Sequence, residues 1–209
     1  HITTSLHHHI TTSLHHHITT SLHHHIPTSP YMQIQIHDKT FVPFLSAAKI
    51  QAAIQVVAQQ INHDLAGTIP LFMPVLNGSV FFATDLLRHI NLACEIAFIK
   101  TRSYHGTNST GTVEVTWVDK PNLAGRTIVI VEDIIDTGHT LTKLLTLLSE
   151  QKPAAIKIAC LHEKPEANCY PNLKPNYVGM QIPNKFVVGY GLDYNGHGRN
   201  LPEIYQLKE

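Results

Sequence analysis

The residues best equipped for chemistry crowd into one stretch, Thr127 to Leu141, TIVIVEDIIDTGHTL. A β-branched apolar run, Ile128 to Val131, ends in Glu132 and Asp133. Asp136 follows three residues on, and Thr137-Gly138-His139-Thr140 closes the loop. Leu141, Leu144, Leu145 and Leu148 then share one face of a helix. Acids and hydroxyls thus stand at a strand-to-helix junction, the crevice in which open α/β sheets bind ligands. Free N–H groups at a helix start, a glycine at 138 and the hydroxyls of Thr137 and Thr140 make a receptor for a phosphate monoester. Paired carboxylates one step upstream suit vicinal sugar hydroxyls or a bound Mg2+. A phosphorylated pentose satisfies both halves. A buried strand with an ordinary capped helix explains Ile128 to Val131 equally well, but leaves three acids at the strand's end unexplained.

The run VIVEDIIDTGHTL resembles the phosphoribosyl-pyrophosphate (PRPP) loop of the type I phosphoribosyltransferases, in particular their hypoxanthine-guanine branch. The resemblance implies that Glu132 and Asp133 meet the ribose hydroxyls of PRPP and, with Asp193, serve Mg2+. It places Thr137, Gly138, the backbone of His139, and Thr140 at the 5′-phosphate. Asp136 falls near the purine N7, where a carboxylate can take or share a proton as the base attacks C1′.

Four further segments extend the resemblance, in order, over nearly all of residues 31–209. Leu76-Asn77-Gly78 matches the strand end that holds pyrophosphate through backbone groups, often with a cis peptide between the residues matching Leu76 and Asn77. Ser103-Tyr104 matches the pair in a mobile lid, whose closure would exclude water from the reacting centre. Lys164 matches the lysine that donates to the purine O6. Phe186 matches the aromatic stacked on the base, Val187 the residue whose backbone reads the ring edge, Asp193 an acid beside metal and base, and Arg199 a pyrophosphate-binding arginine.

Two positions depart from the pattern, since His139 and Asn77 stand where relatives often carry lysine. Without the family, several residues read more plainly: Asn77-Gly78 as a tight turn, residues 101–111 as a surface hairpin, Lys164 as a solvated loop lysine, Phe186 as a core strand residue and Asp193 as a turn former.

The implied activity is Mg2+-dependent transfer of the phosphoribosyl group from PRPP to hypoxanthine, and to guanine. Transfer to xanthine or adenine, a PRPP-sensing regulator without catalysis, and a plain α/β binding module are the alternatives. Relatives form dimers or tetramers, so a homodimer or homotetramer is expected.

The elements that must position these residues follow from periodicity. Met32, Ile34 and Ile36 alternate as an opening strand. Ile50, Ile54, Val57 and Ile61, after Ser46, mark an amphipathic helix ending near Gly67. Leu71 to Leu76 predicts a buried strand, turned by Asn77-Gly78-Ser79 into a helix through Phe81, Phe82, Leu86 and Leu87. Ile96 to Ile99 and Val113 to Trp117 predict further strands, and the acidic-loop strand leads to a helix over 140–149. Ile156 to Leu161 and a short strand at Phe186 to Tyr190 complete the pattern. The fold class expected is α/β: a mainly parallel twisted sheet flanked by helices on both faces, with a small C-terminal hood over its carboxyl edge.

Composition bounds the rest. Residues 1–30 repeat HITTSLHH, hold ten of the 17 histidines and no Asp, Glu, Lys or Arg, and read as a purification tag; a metal-binding tract is the alternative. Residues 31–209 form one phosphoribosyltransferase domain with its hood, and carry 15 basic and 15 acidic side chains. That balance argues against a nucleic-acid surface. No apolar run approaches the roughly 20 residues of a membrane span, and no secretory signal is visible. Cys94, Cys160 and Cys169 form no CxxC pair or disulfide framework, which fits reduced thiols in the cytoplasm.

Overall fold

The computed structural model describes residues 33–103, 113–118 and 120–209; the histidine-rich leader and Tyr104 lie outside them. The chain opens with an antiparallel hairpin, β1 (Ile34–Ile36) and β2 (Lys39–Leu45). Ser46 caps α1 (Ala47–Asp64), its hydroxyl accepting from Lys49 N–H at 3.4 Å. The buried face of α1 is Ile50, Ile54, Val57, Ala58 and Ile61, the spacing that a 3.6-residue repeat requires. Next come β3 (Leu71–Leu76), α2 (Val80–Arg88), β4 (Glu95–Ile96), β5 (Ile99–Ser103) and β6 (Val113–Trp117). The acidic loop leaves β7 (Thr127–Ile135) and enters α3 (His139–Ser149), followed by β8 (Ala155–Glu163), β9 (Tyr177–Gln181), β10 (Val187–Val188) and β11 (Ile204–Leu207).

The main sheet runs β6-β5-β3-β7-β8-β9, with β4 also paired to β3; every pairing is parallel except β5 with β6. Strand alternation divides its side chains between two cores. Phe72, Val129, Val131, Ala159 and Leu161 pack on α1 and α2, while Leu71, Met73, Ile128, Ile130, Ile158 and Cys160 pack on α3. Each fully buried aliphatic or aromatic side chain stabilises the fold by about 1.5–3 kcal/mol relative to exposure, so this double-sided sheet is a rigid platform.

The chain leaves β3 toward β5 and leaves β7 in the opposite direction, toward β8. A crevice therefore opens beyond the carboxyl ends of β3 and β7, between Leu76-Asn77-Gly78 and the acidic loop.

Three expectations need correction. The strand expected at Ile96 to Ile99 is two, β4 and β5, paired to β3 in one register at Leu71–Phe72 and at Val75–Leu76; between these stands Pro74, which has no N–H to continue the ladder. The hood is not C-terminal alone: β1, β2, β11 and β10 form one four-stranded antiparallel sheet, so the first hairpin pairs with the last strand. The expected irregular tail contains β11, and β9 lies in a Pro- and Asn-rich stretch whose sequence shows no alternation.

Candidate active site

Two crevice walls are built from the ends of neighbouring strands. On the first, β3 ends in a cis peptide between Leu76 and Asn77. Gly78 follows, packed so closely on the next strand that a Cβ there would collide with the Asp133 carboxylate. On the second wall, Gly138 has φ of +80° and is the N-cap of α3; a side chain there would press against Leu173 and Asn168. Glycine accepts both demands because it has no Cβ.

The first bond inside α3 is Thr142 N–H to Gly138 O, 2.9 Å, so the N–H groups of 139–141 precede the helix's own ladder and face the loop. Beside them lies a cavity of about 110 Å3, lined by Glu132, Ile134 and residues 135–141. That is roughly the space of three or four waters, enough for a phosphate group. A positive helix end and free donors make it an anion site.

The acids differ in environment. Glu132 is 8% exposed, and burial, reinforced by the charge of Asp133, raises its carboxyl well above the usual range. Burial also pushes Asp133 up to about 6, against the opposing pull of Ile134 N–H, which donates to its carboxylate at 3.0 Å, and of Arg199; Asp193 adds a smaller upward push. Both acids therefore gain from a cation or hydroxyl donors that replace lost hydration.

Arg199 binds Asp193 at 2.6 Å and donates to Gly191 O, and Gly191 in turn rests on the carbonyl of Gly78. Gly78, Asp133, Asp193 and Arg199, from three distant parts of the chain, thus converge at the crevice. No group of three His, Cys, Asp or Glu residues able to hold a metal occurs among the described residues. A closed protein cage is absent there, but Mg2+ needs only one or two carboxylates beside substrate oxygens and water, and the oxygen donors of Asp133 and Asp193 fit it.

The third wall comes from β8. Lys164, just past its end and only 5% exposed, donates to Asp136 Oδ2 at 2.7 Å. A buried lysine and the loop acid are thereby presented as an adjacent donor and acceptor. The segment after Lys164 also braces the phosphate loop: Cys169 N–H donates to Thr137 O at 3.1 Å, and Tyr170 OH lies 2.7 Å from His139 Nδ1. His139 is exposed.

Phe186 and Val187 belong to the hood. Phe186 precedes β10 instead of lying in a core strand, is 45% exposed, and meets Tyr194 edge-on at 5.8 Å. Ser103 ends β5, so residues 101–103 expected in the lid are strand; Tyr104 is outside the described residues.

Sequence reasoning missed three participants. Gly191 and Tyr190 sit in a Gly-Tyr-Gly run whose pattern is a usable signal. His162, fully buried, donates from Nδ1 to Asp133 O at 3.1 Å; burial lowers its imidazole to about 4. It lay inside an apolar strand and carried no signal.

Residues 44–195 match the family model described as phosphoribosyl transferase domain. The chain is 40% identical over 166 residues to a hypoxanthine-guanine phosphoribosyltransferase of Streptococcus pneumoniae, covering 79% of this chain and 92% of that protein. It is 44% identical over 154 residues to the protein of the same name from Streptococcus pyogenes, covering 73% and 85%. Among solved structures, a hypoxanthine-guanine phosphoribosyltransferase from Bacillus anthracis, with a HEPES molecule in its active site, superposes with a TM-score of 0.73 at 38% identity, covering 80% of this chain and 96% of that one.

Proposed function

Because the chain belongs to the phosphoribosyltransferase family, we propose that it is a purine salvage enzyme, transferring the 5-phosphoribosyl group of PRPP to hypoxanthine, and to guanine, with release of pyrophosphate. The observation that carries the reading is the 2.7 Å pair of Lys164 and Asp136 beside the phosphate loop. A 6-oxopurine protonated at N7 shows the complementary edge: O6 accepts from the ammonium and N7–H donates to the carboxylate. Adenine turns an amino donor toward the ammonium, so the same pair discriminates against it.

In the reaction N9 attacks C1′, the bond from C1′ to the pyrophosphate oxygen breaks with its electrons, and the N7 proton passes to Asp136. The N–H groups at the start of α3, with Thr137 and Thr140, hold the 5′-phosphate. Glu132 and Asp133 receive the ribose hydroxyls. The Leu76–Gly78 backbone and Arg199 hold the pyrophosphate end. Phe186 covers the base and the Val187 backbone reads its edge. Placement and electrostatics are the protein's main contributions, because the ribosyl centre develops cationic character between fixed groups.

Mg2+, held by Asp133 and Asp193 with Glu132 close by, would neutralise charge on the departing pyrophosphate. Residues 31–209 form the catalytic domain in this reading. A homodimer or homotetramer in the cytoplasm, where the free thiols of Cys94, Cys160 and Cys169 stay reduced, completes it. No described helix is long and apolar enough to cross a membrane.

Pyrophosphate release from PRPP and Mg2+, measured with hypoxanthine, guanine, xanthine and adenine in turn, tests the reading. Turnover of hypoxanthine and guanine with little from adenine is the expected result; adenine matching hypoxanthine refutes it, as does loss of no activity on chelating Mg2+.

A further inference from the structure

The hood meets the helices of the core through a hydrogen-bonded cluster that none of the steps above uses. Tyr190, 6% exposed, donates from its hydroxyl to Asp85 Oδ2 at 2.5 Å. Gln51 donates to the same oxygen at 2.7 Å and stands 3.3 Å from the Tyr190 hydroxyl. Phe81 packs near the tyrosine ring, with centroids 6.0 Å apart. Burial, together with the Asp85 carboxylate, raises the Tyr190 phenol, so it remains a hydrogen-bond donor.

Backbone geometry shows why such a clamp matters. Tyr190 has φ of +45°, between Gly189 at +106° and Gly191 at +102°. Three consecutive left-handed residues, the central one carrying a side chain, persist only where tertiary contacts hold them. The same backbone sets the site: Tyr190 N–H donates to Leu201 O at 2.8 Å, and Gly191 N–H to Arg199 O at 2.9 Å. Gly191 also bears on the Gly78 carbonyl, and Asp85 lies on α2, the helix that begins directly after that strand end. Two attachments, Gly191 on Gly78 and Tyr190 on Asp85, therefore join one stretch of the hood to β3 and its following helix.

We propose that Tyr190, latched by Asp85, is a positioning residue that holds the Gly191–Arg199 segment against Gly78 and thereby governs affinity for the pyrophosphate end of the substrate. The inference rests on the phosphoribosyl-transfer reading. Hypoxanthine is held first by Lys164 and Asp136, which stand outside this linkage, and by Phe186 and the Val187 backbone, which precede it in the chain.

Steady-state KM values for PRPP, for pyrophosphate in the reverse reaction and for hypoxanthine test it in Tyr190→Phe, Asp85→Asn and the double variant, each with a thermal melt. Tyr190→Phe should raise KM for PRPP and pyrophosphate roughly tenfold, the scale of one hydrogen bond to a charged group, and leave KM for hypoxanthine nearly unchanged. The double variant should be no worse than Tyr190→Phe alone, because both changes break one linkage. An unchanged KM for PRPP, additive effects, or an equal rise for every substrate that tracks a lowered melting temperature overturns the latch. Absence of PRPP turnover in the unsubstituted protein would instead overturn the transfer reading, and it is seen before any variant is made.

Discussion

Replacing Lys164 by methionine separates the two duties of the Lys164–Asp136 pair, stability and base selection. Methionine keeps most of the apolar stem and so preserves packing around a side chain that is 6% exposed. Breaking a fully buried ion pair by removing one partner costs about 3–5 kcal/mol. Asp136 here keeps 47% of its side-chain surface in water, so the loss should fall toward the exposed-pair range, about 1 kcal/mol. For a domain of this size that lowers the melting temperature by roughly 3 °C.

The catalytic effect should be larger. Loss of a charged donor to O6 removes about 1.5–3 kcal/mol, hence roughly a 10- to 150-fold fall in kcat/KM for hypoxanthine. The variant no longer turns an ammonium toward the adenine amino group, so the ratio of adenine to hypoxanthine turnover should rise, while KM for PRPP stays put. The assay is kcat/KM for both bases at saturating PRPP, with KM for PRPP measured separately. Hypoxanthine efficiency within a factor of about two of the unsubstituted enzyme, well below the effect of one charged hydrogen bond, would refute the assignment, as would an unchanged base ratio.

Asp136→Asn keeps the shape of the acid but cannot accept the N7 proton; kcat should fall by about 10²- to 10⁴-fold with PRPP binding retained, and near-normal turnover counts against Asp136 as the base. Gly78→Ala drives a methyl into the Asp133 carboxylate; overpacking should cost about 1–3 kcal/mol in a melt and raise KM for PRPP, and a silent substitution would show that the close approach is unimportant. His162 should shape acid stability. Its folded value of about 4 lies below the usual 6.5, so the unfolded chain binds the extra proton between them, and stability is lost as pH falls from 6.5 to 4. Glu132 and Asp133 are shifted upward and slope the other way at acid pH, so the difference between His162→Gln and the unsubstituted protein is the readout. It should change by on the order of 3 kcal/mol across that range, and parallel stability curves would exclude the effect.

Local signals carried the sequence far. The bounds of β3, the buried face of α1 and the strand-to-helix turn around Gly138 were all legible, because each is set by the periodicity or backbone demands of a few adjacent residues. The phosphate loop is readable for the same reason: its donors, hydroxyls and acids are contiguous, so their mutual geometry hardly depends on the remainder of the chain. What lay hidden depends on contacts between distant residues. β9 and β11 lack a strand signature and owe their conformation to the strands they pair with. The first hairpin joins the hood through β11, across more than 150 positions, by hydrogen bonds that no window of sequence contains. Lys164 looks like any loop lysine until β8 pairs in register with β7 and carries it to Asp136. Gly191 gains its meaning only when the hood lowers it onto Gly78. Residue chemistry and short-range spacing therefore determined which groups could bind a sugar phosphate, whereas strand order and register decided which of them meet, because those contacts arise only after the sheet has assembled.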